Sequence, residues 1–240
     1  MVELGFVWSS SAFLLGTRRQ CSWTQRYGKS ASSFNRRPSL RRSAVRMEVG
    51  PSDPGYISTL SKPIQAAVTL LIYAGIALAT VALNILVAPK IRSIRVLRIL
   101  SRALGLFFAA VGVQHFTLLQ EISSMVPEKG AWGYWYLPGS AEFHTKWTGM
   151  AEVLGGLGVL LGDLPFLPLW VGPYAAAGLF LLVIVVTPSN MYMVTHGVLG
   201  PVKVWLGEDT VLRPNHHVIR MLLQAVLLST LCSMAVGFHK

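Results

Sequence analysis

The feature that most constrains this chain is an apolar run from Ile64 to Ala88, 25 residues without Asp, Glu, Lys, Arg or His. About 20 apolar residues in a helix are enough to cross a bilayer, so this run predicts a transmembrane helix. Of the whole chain, 52% is hydrophobic and only 13% is charged, whereas soluble domains contain about 25% charged residues. We therefore expect an all-α membrane protein.

The first 46 residues have a different composition. They contain nine Lys and Arg, opposed by Glu3 alone, and account for +8 of the net charge of +11. A segment rich in Ser and Arg and poor in acid is typical of an organellar transit peptide, with a disordered basic tail as the other interpretation. Its many hydroxyls favour a chloroplast membrane, envelope or thylakoid, with the mitochondrial inner membrane as the alternative. Because the excess charge lies in this leader, nucleic acid is not an expected partner.

A basic segment, 89–103, follows the short lead-in (47–63) and the first predicted helix (64–88). Its four arginines are three, three and four residues apart, which places them on one face of a helix. They would either bind anionic lipid headgroups or act as positive-inside residues that fix the orientation, and we favour the second because it requires only topology. These residues are Arg92, Arg95, Arg98 and Arg102.

Four further spans are predicted after this segment. The first of them is short, so we expect it to begin within the arginine-bearing helix, and Pro188 is expected to end the third. Closely spaced glycines in the second, among them Gly158 and Gly162, would let a neighbouring helix approach closely. The spans cover approximately 104–120, 147–162, 166–187 and 218–238.

The loop between Glu121 and Lys146 carries an aromatic cluster, Trp132, Tyr134, Trp135 and Tyr136. Trp and Tyr collect where a membrane meets water, so an anchoring belt is the simpler interpretation. A stacking platform for a flat ligand is the alternative.

Five polar residues are expected to share one leaflet, opposite the basic segment. They are His115, Glu152, Asn190, Arg220 and Gln224. Each is near the end of its predicted span that lies on the side of the membrane away from the basic segment. A charge in hydrocarbon is costly without a partner, so the pattern predicts that Glu152 pairs with Arg220. Such a group would be either a structural clasp between helices or a ligand or proton site. The histidines have no metal-ligand spacing, so no metal is predicted.

Four motifs follow one another along the predicted spans: QHF (Gln114–Phe116), TGMAEVLGGLGVLLG (Thr148–Gly162), TPSNMYM (Thr187–Met193) and IRMLLQAVLL (Ile219–Leu228). In this order they resemble successive spans of the DoxX-like family of small membrane proteins. The resemblance implies a four-helix transmembrane bundle over 104–240, to which Ile64–Ala88 adds one N-terminal helix, and a polar pocket to which Glu152, Asn190 and Arg220 contribute. Name-giving relatives are associated with an archaeal thiosulfate:quinone oxidoreductase, and bacterial ones with oxidative-stress membrane complexes. No catalytic residues are common to these relatives, and none is carried over.

Two functions remain open. The first is an accessory or assembly subunit that contacts membrane lipids and, through its glycine face, other membrane proteins. The second is the membrane subunit of a quinone-linked oxidoreductase, in which Arg220 and His115 donate to a quinone carbonyl and Glu152 handles a proton. We favour the first because the sequence shows no redox group of its own, which leaves quinone as the one suggested cofactor and enzymatic activity undecided.

Overall fold

A computed structural model describes residues 55–86, 94–206 and 212–237, all within one compact unit, Met47–Lys240. Every regular element in these ranges is helical, which confirms the all-α prediction for this part of the chain. The predicted leader, 1–46, lies outside the described residues. The helices are α1 (Lys62–Leu86), α2 (Ile94–Thr117), α3 (Leu119–Ser123), α4 (Ala141–Leu161), α5 (Val171–His196), α6 (Val202–Leu206) and α7 (Pro214–Gly237), with 3-10 turns at Tyr56–Thr59 and Ala131–Gly133.

Four helices are long and apolar enough to cross a membrane: Lys62–Leu86, Arg98–Thr117, Val171–His196 and Pro214–Val236. The sequence predicted five spans. The remaining one belongs to α4, which reaches 21 residues but carries Glu142, His144 and Lys146 in its first two turns. Helix α4 is not among the four candidate spans, so its crossing of the membrane stays a prediction.

The prediction that Pro188 ends a span is wrong, because α5 continues through it to His196. Proline has no N–H, which leaves the carbonyl of Ile184, four residues earlier, without its helical donor. The Tyr73 hydroxyl of α1 lies 3.4 Å from that carbonyl oxygen and donates to it weakly. Neighbouring helices often satisfy backbone groups freed by proline in this way. Asn190 is consequently inside a helix rather than in a loop.

The long helices pack in the spatial order α2, α4, α5, α7, α1. Helix α4 lies between α2 and α5, and α7 lies between α5 and α1. The shared core is apolar and includes Phe108, Val159, Leu179 and Leu231. Because α5 stands between α4 and α7, polar residues on those two helices are held apart.

Local signals set the ends of α4 and α5. The Ser140 hydroxyl accepts a hydrogen bond from the Phe143 N–H at 3.1 Å, which caps the first turn of α4. At the C-terminal end of α5, Gly197 has φ of 69° and its N–H donates to the Met193 carbonyl. Glycine adopts this left-handed conformation without a Cβ penalty, so it can end the helix there.

Trp132 is a core residue, which corrects the prediction of an interfacial belt for this side chain. It is only 1% exposed, and its indole N–H donates to the Thr195 hydroxyl at 2.9 Å. Its ring contacts Tyr134, Trp135 and Tyr192, so it has no free face for a flat ligand. The loop thus folds back onto α5 and fastens its C-terminal end.

Candidate functional site

The five predicted polar residues form two separate groups. His115 on α2 and Glu152 on α4 make one, and Asn190 on α5 with Arg220 and Gln224 on α7 make the other. The predicted Glu152–Arg220 pair is not formed, because α5 lies between the helices that carry them. Each group therefore has its own partners and its own chemistry.

Glu152 pairs with His115 in the interior of the bundle. The His115 Nε2 and Glu152 Oε2 atoms lie 3.2 Å apart, and the two side chains are 11% and 9% exposed. The contact is close but not aligned as a hydrogen bond, so Glu152 Oε2 has no hydrogen-bond donor among the described residues. On its other side, His115 Nδ1 is 2.9 Å from the Thr145 carbonyl oxygen. We call this group the Glu–His pair.

Glycines allow α2 and α4 to come this close. Gly105 on α2 faces Gly156 on α4, and Gly112 on α2 faces Gly149 on α4. The two glycines of each helix are seven residues apart. A Cβ at Gly156 would lie 2.6 Å from the Ala109 nitrogen and 2.7 Å from the Gly105 carbonyl oxygen, and one at Gly149 would overlap His115. This backbone-to-backbone crossing follows the small-residue packing of membrane helices. Glu152 lies between the two contact points on α4, and His115 lies three residues beyond Gly112 on α2 and packs against Gly149.

The glycine face is occupied within the chain, which corrects the expectation that it contacts other proteins. Gly158 and Gly162, the small-xxx-small pair noted in the sequence, lie against Ala175 and Gly172 of α5. The opposite side of α4 packs on α2. No glycine-lined surface of α4 is thus left for a separate partner in this part of the chain.

A directed series of hydrogen bonds joins α5 and α7. Arg220 donates from Nη2 to Asn190 Oδ1 at 2.8 Å, and Asn190 Nδ2 donates to Gln224 Oε1 at 3.1 Å. Gln224 Nε2 then donates to the Thr187 hydroxyl at 2.6 Å, which donates to the Val183 carbonyl at 2.8 Å. Arginine can only donate and a carbonyl can only accept, so the two ends fix both amide orientations. The series therefore runs in one direction, from Arg220 to the Val183 carbonyl.

Arg220 has no carboxylate partner among the described residues. Its two hydrogen bonds go to the neutral Asn190 amide and to Met193 Sδ at 3.0 Å. The residue is half-buried, and a guanidinium in a membrane helix normally pairs with an acid or faces a cavity. Among the described residues, no negative charge therefore matches that of Arg220 at this site.

A small cavity adjoins Arg220 between α1, α5 and α7. Its water-accessible volume is about 10 Å³, which is room for about one water molecule. His217 also lines it and is only 6% exposed, and neither of its ring nitrogens has a hydrogen-bond partner in the described part of the chain. Such a buried, unbonded imidazole is costly unless something in the cavity bonds to it. We call this space the Arg220 cavity; its walls include Ile72, Ile76, Asn190, His217, Arg220 and Gln224.

Sequence reasoning missed two parts of this site. The sequence analysis did not single out His217, yet His217, Arg220 and Gln224 are spaced three and four apart, which places them on one helical face. His216 points elsewhere, is exposed, and accepts from the Arg213 N–H. The second part is α1, which contributes Ile72 and Ile76 as an apolar wall and so completes the cavity.

The basic residues of the second span lie at the other end of α2. Arg98 and Arg102 are exposed, and both approach Asp163 Oδ2 at 3.5 Å. Exposed pairs of this kind contribute little to stability. Arg92 lies outside the described residues, and only the backbone of Arg95 is described, so lipid contact by the four arginines stays a prediction.

No family model, curated protein or solved structure matches this chain. Within the described ranges, no three His, Cys, Asp or Glu side chains come together in a way that could hold a metal ion. The chemistry of the two polar groups thus carries the functional argument.

Proposed function

We propose that this chain is a multi-pass accessory protein of an organellar membrane that binds the polar head of a small, lipid-soluble molecule in the Arg220 cavity. The observation that carries the proposal is the unmatched charge of Arg220 beside a buried His217 with both ring nitrogens unbonded. A ligand oxygen would satisfy both groups. In this proposal the ligand supplies the counter-charge or dipole that the described part of the chain lacks.

The donors define the class of ligand. Arg220 has N–H groups beyond the two that bond Asn190 and Met193, and His217 has an N–H to offer. Both suit an acceptor oxygen, either a carbonyl or one oxygen of an anionic head. The cavity holds about one water-sized group, so a single oxygen would enter it. The apolar remainder of the ligand would lie along Ile72 and Ile76 of α1.

A quinone is one molecule of this class, since it offers a carbonyl oxygen on an apolar body. Glu152 and His115 are not among the residues that line the Arg220 cavity, so they would not protonate a head group bound there directly. For this reason we place the accessory role first, and the membrane subunit of a quinone-linked oxidoreductase second.

The membrane and the family are further parts of the proposal. The acid-poor, Ser-rich leader supports a chloroplast membrane, and the four motifs support a DoxX-like bundle. The four helices that are long and apolar enough to cross a membrane support contact with membrane lipids.

Native mass spectrometry of the full chain, extracted gently from its own membrane, tests the binding proposal. We expect a stoichiometric small molecule on the unaltered protein and its loss in Arg220→Gln. Arg213→Gln is the matched control, because Arg213 is an exposed arginine at the start of the same helix. A bare protein, or equal occupancy in Arg220→Gln, would overturn the proposal.

A further inference from the structure

The Glu–His pair is a second polar site, independent of the Arg220 cavity. It lies between α2 and α4, whereas the cavity lies between α1, α5 and α7. Both of its side chains are about nine-tenths buried and both are titratable. Neither is used by the binding role proposed for the cavity.

The hydrogen bond on the far side of His115 fixes the state of its ring. Nδ1 has two neighbours: the Thr145 carbonyl oxygen at 2.9 Å, which can only accept, and the Thr148 hydroxyl at 3.3 Å, whose hydrogen goes to the His144 carbonyl at 2.8 Å. Nδ1 therefore carries a hydrogen and donates to Thr145. In a neutral imidazole the other nitrogen then has no hydrogen. Nε2, which faces Glu152 Oε2 at 3.2 Å, is therefore the position where a proton is gained or lost.

Counting protons between these two atoms leaves one favourable state. With none, a lone pair of Nε2 faces a carboxylate oxygen, and a buried negative charge has no donor. With two, an N–H faces an O–H, and the imidazolium is buried without a counter-charge. With one, either atom holds the hydrogen and faces an atom that can accept it, and the pair has no net charge in either case.

The surroundings contain no other charge that could take over either role. Among the described residues, no second cationic side chain lies within 4 Å of Glu152 and no second carboxylate within 4 Å of His115. The elements packed against α4 do carry ionisable groups, none of them in ion-pair contact with the Glu–His pair. On α4 itself, Lys146 pairs with Glu142 at 3.8 Å, and His144 accepts from the Trp147 indole. The groups on the other helices are Glu121 on α3, Arg98 and Arg102 on α2, and Tyr174, Tyr192 and His196 on α5.

We propose that Glu152 and His115 form an intramembrane proton-binding site that holds one proton at neutral pH. Addition or removal of a proton makes the two facing atoms repel each other and leaves a net charge in the interior. Because His115 packs against Gly149 and Glu152 lies three residues farther along α4, either change would loosen that crossing. The site thus couples proton binding to the packing of the two helices.

Two spectroscopic readouts on the full chain in lipid nanodiscs count the protons. Infrared spectroscopy detects the C=O stretch of a protonated Glu152, assigned as the band lost in Glu152→Gln. Nitrogen NMR with labelled histidine reports whether Nε2 of His115 is protonated, with the signal assigned through His115→Asn. Glu142→Gln is the control, since Glu142 is an exposed carboxylate on the same helix.

At neutral pH we expect one proton in total: either the acid band with a neutral His115, or no acid band with an imidazolium. Removal of this proton should change one of the two readouts, and addition of a second proton should change the other. If His115→Asn does not fold, Glu152→Gln still assigns the His115 nitrogen signal. The new side-chain amide would donate to Nε2 of His115 and change the chemical shift of that nitrogen. A count of zero or two protons, or a His115 signal that Glu152→Gln leaves unchanged, would overturn the proposal.

Discussion

The two polar groups of this bundle hold ionisable side chains among apolar helices in opposite ways. At the α2–α4 crossing an acid meets a base, and the two backbones are nearly in contact. At the α5–α7 contact a guanidinium meets only neutral acceptors, and a cavity adjoins it. The comparison teaches that an ionisable residue in a membrane helix indicates a ligand only where its charge is unmatched and space adjoins it.

The largest effect should come from filling the α2–α4 crossing. In Gly156→Ala the new methyl group would overlap the Ala109 nitrogen and the Gly105 carbonyl oxygen, and backbone atoms cannot rotate away. We expect a loss of about 3 kcal/mol in the free energy of unfolding in detergent, at the upper end of overpacking effects.

Gly178→Ala is the matched control for that variant. A Cβ at Gly178 meets nothing within 4 Å, so we expect no loss, and a gain of up to about 1 kcal/mol from helix propensity. Equal losses in the two variants would mean that α2 and α4 do not cross at Gly156.

A double-mutant cycle separates the two groups. For Glu152→Gln with His115→Asn we expect a coupling energy of about 1 kcal/mol or more, because the side chains are in contact. For Glu152→Gln with Arg220→Gln the effects should add within about 0.5 kcal/mol. Strong coupling to Arg220, and none to His115, would restore the pairing that the sequence predicted and contradict the structure.

Asn190→Asp would make the α5–α7 group resemble the α2–α4 group. The new carboxylate would face Arg220 at the position of Asn190 Oδ1, and Gln224 can rotate its amide to donate to it. We expect a gain of about 1 kcal/mol in the free energy of unfolding, together with a severalfold loss of bound ligand in native mass spectrometry.

Asn84→Asp provides the comparison for this gain. In the described part of the chain, the Asn84 side chain on α1 has one hydrogen bond, which it donates to the Thr80 carbonyl, and none with a cationic side chain. An acid there should not stabilise the protein. A gain at both positions, or an undiminished ligand in Asn190→Asp, would show that Arg220 is not an unmatched charge.

The smallest effect is expected at the proline of α5. Tyr73→Phe removes the long hydrogen bond to the Ile184 carbonyl, which Pro188 leaves without a helical donor, so we expect a loss of about 0.5 kcal/mol in the free energy of unfolding. A cost as large as that of Gly156→Ala would mean that the hydroxyl holds α1 against α5 by more than this bond.

Much of the fold follows from local patterns, and the pairing of side chains does not. Apolar runs predicted the long helices, and the glycines of α4 predicted a close crossing. Hydropathy could not show that α5 separates Glu152 from Arg220, because the order of helices in a bundle depends on long-range packing. Pro188 misled for a related reason: the group that compensates for it, Tyr73, lies on another helix and 115 positions away.

The candidate site was predicted in its residue types more than in its arrangement. His115, Glu152, Asn190, Arg220 and Gln224 were selected as polar residues in apolar spans, and each does contact another of the five. The division into two groups depends on which helices touch. The cavity additionally needs α1, whose Ile72 and Ile76 carry no signal of a site.

The most direct test of these two sites is an experimental density map of the full chain, purified gently from its own membrane into nanodiscs. We predict non-protein density within hydrogen-bond distance of Arg220 and His217, and direct contact between His115 and Glu152 with nothing between them. A map in which Glu152 contacts Arg220, or in which Arg220 meets a carboxylate of the chain and the cavity beside it is closed, would contradict the account.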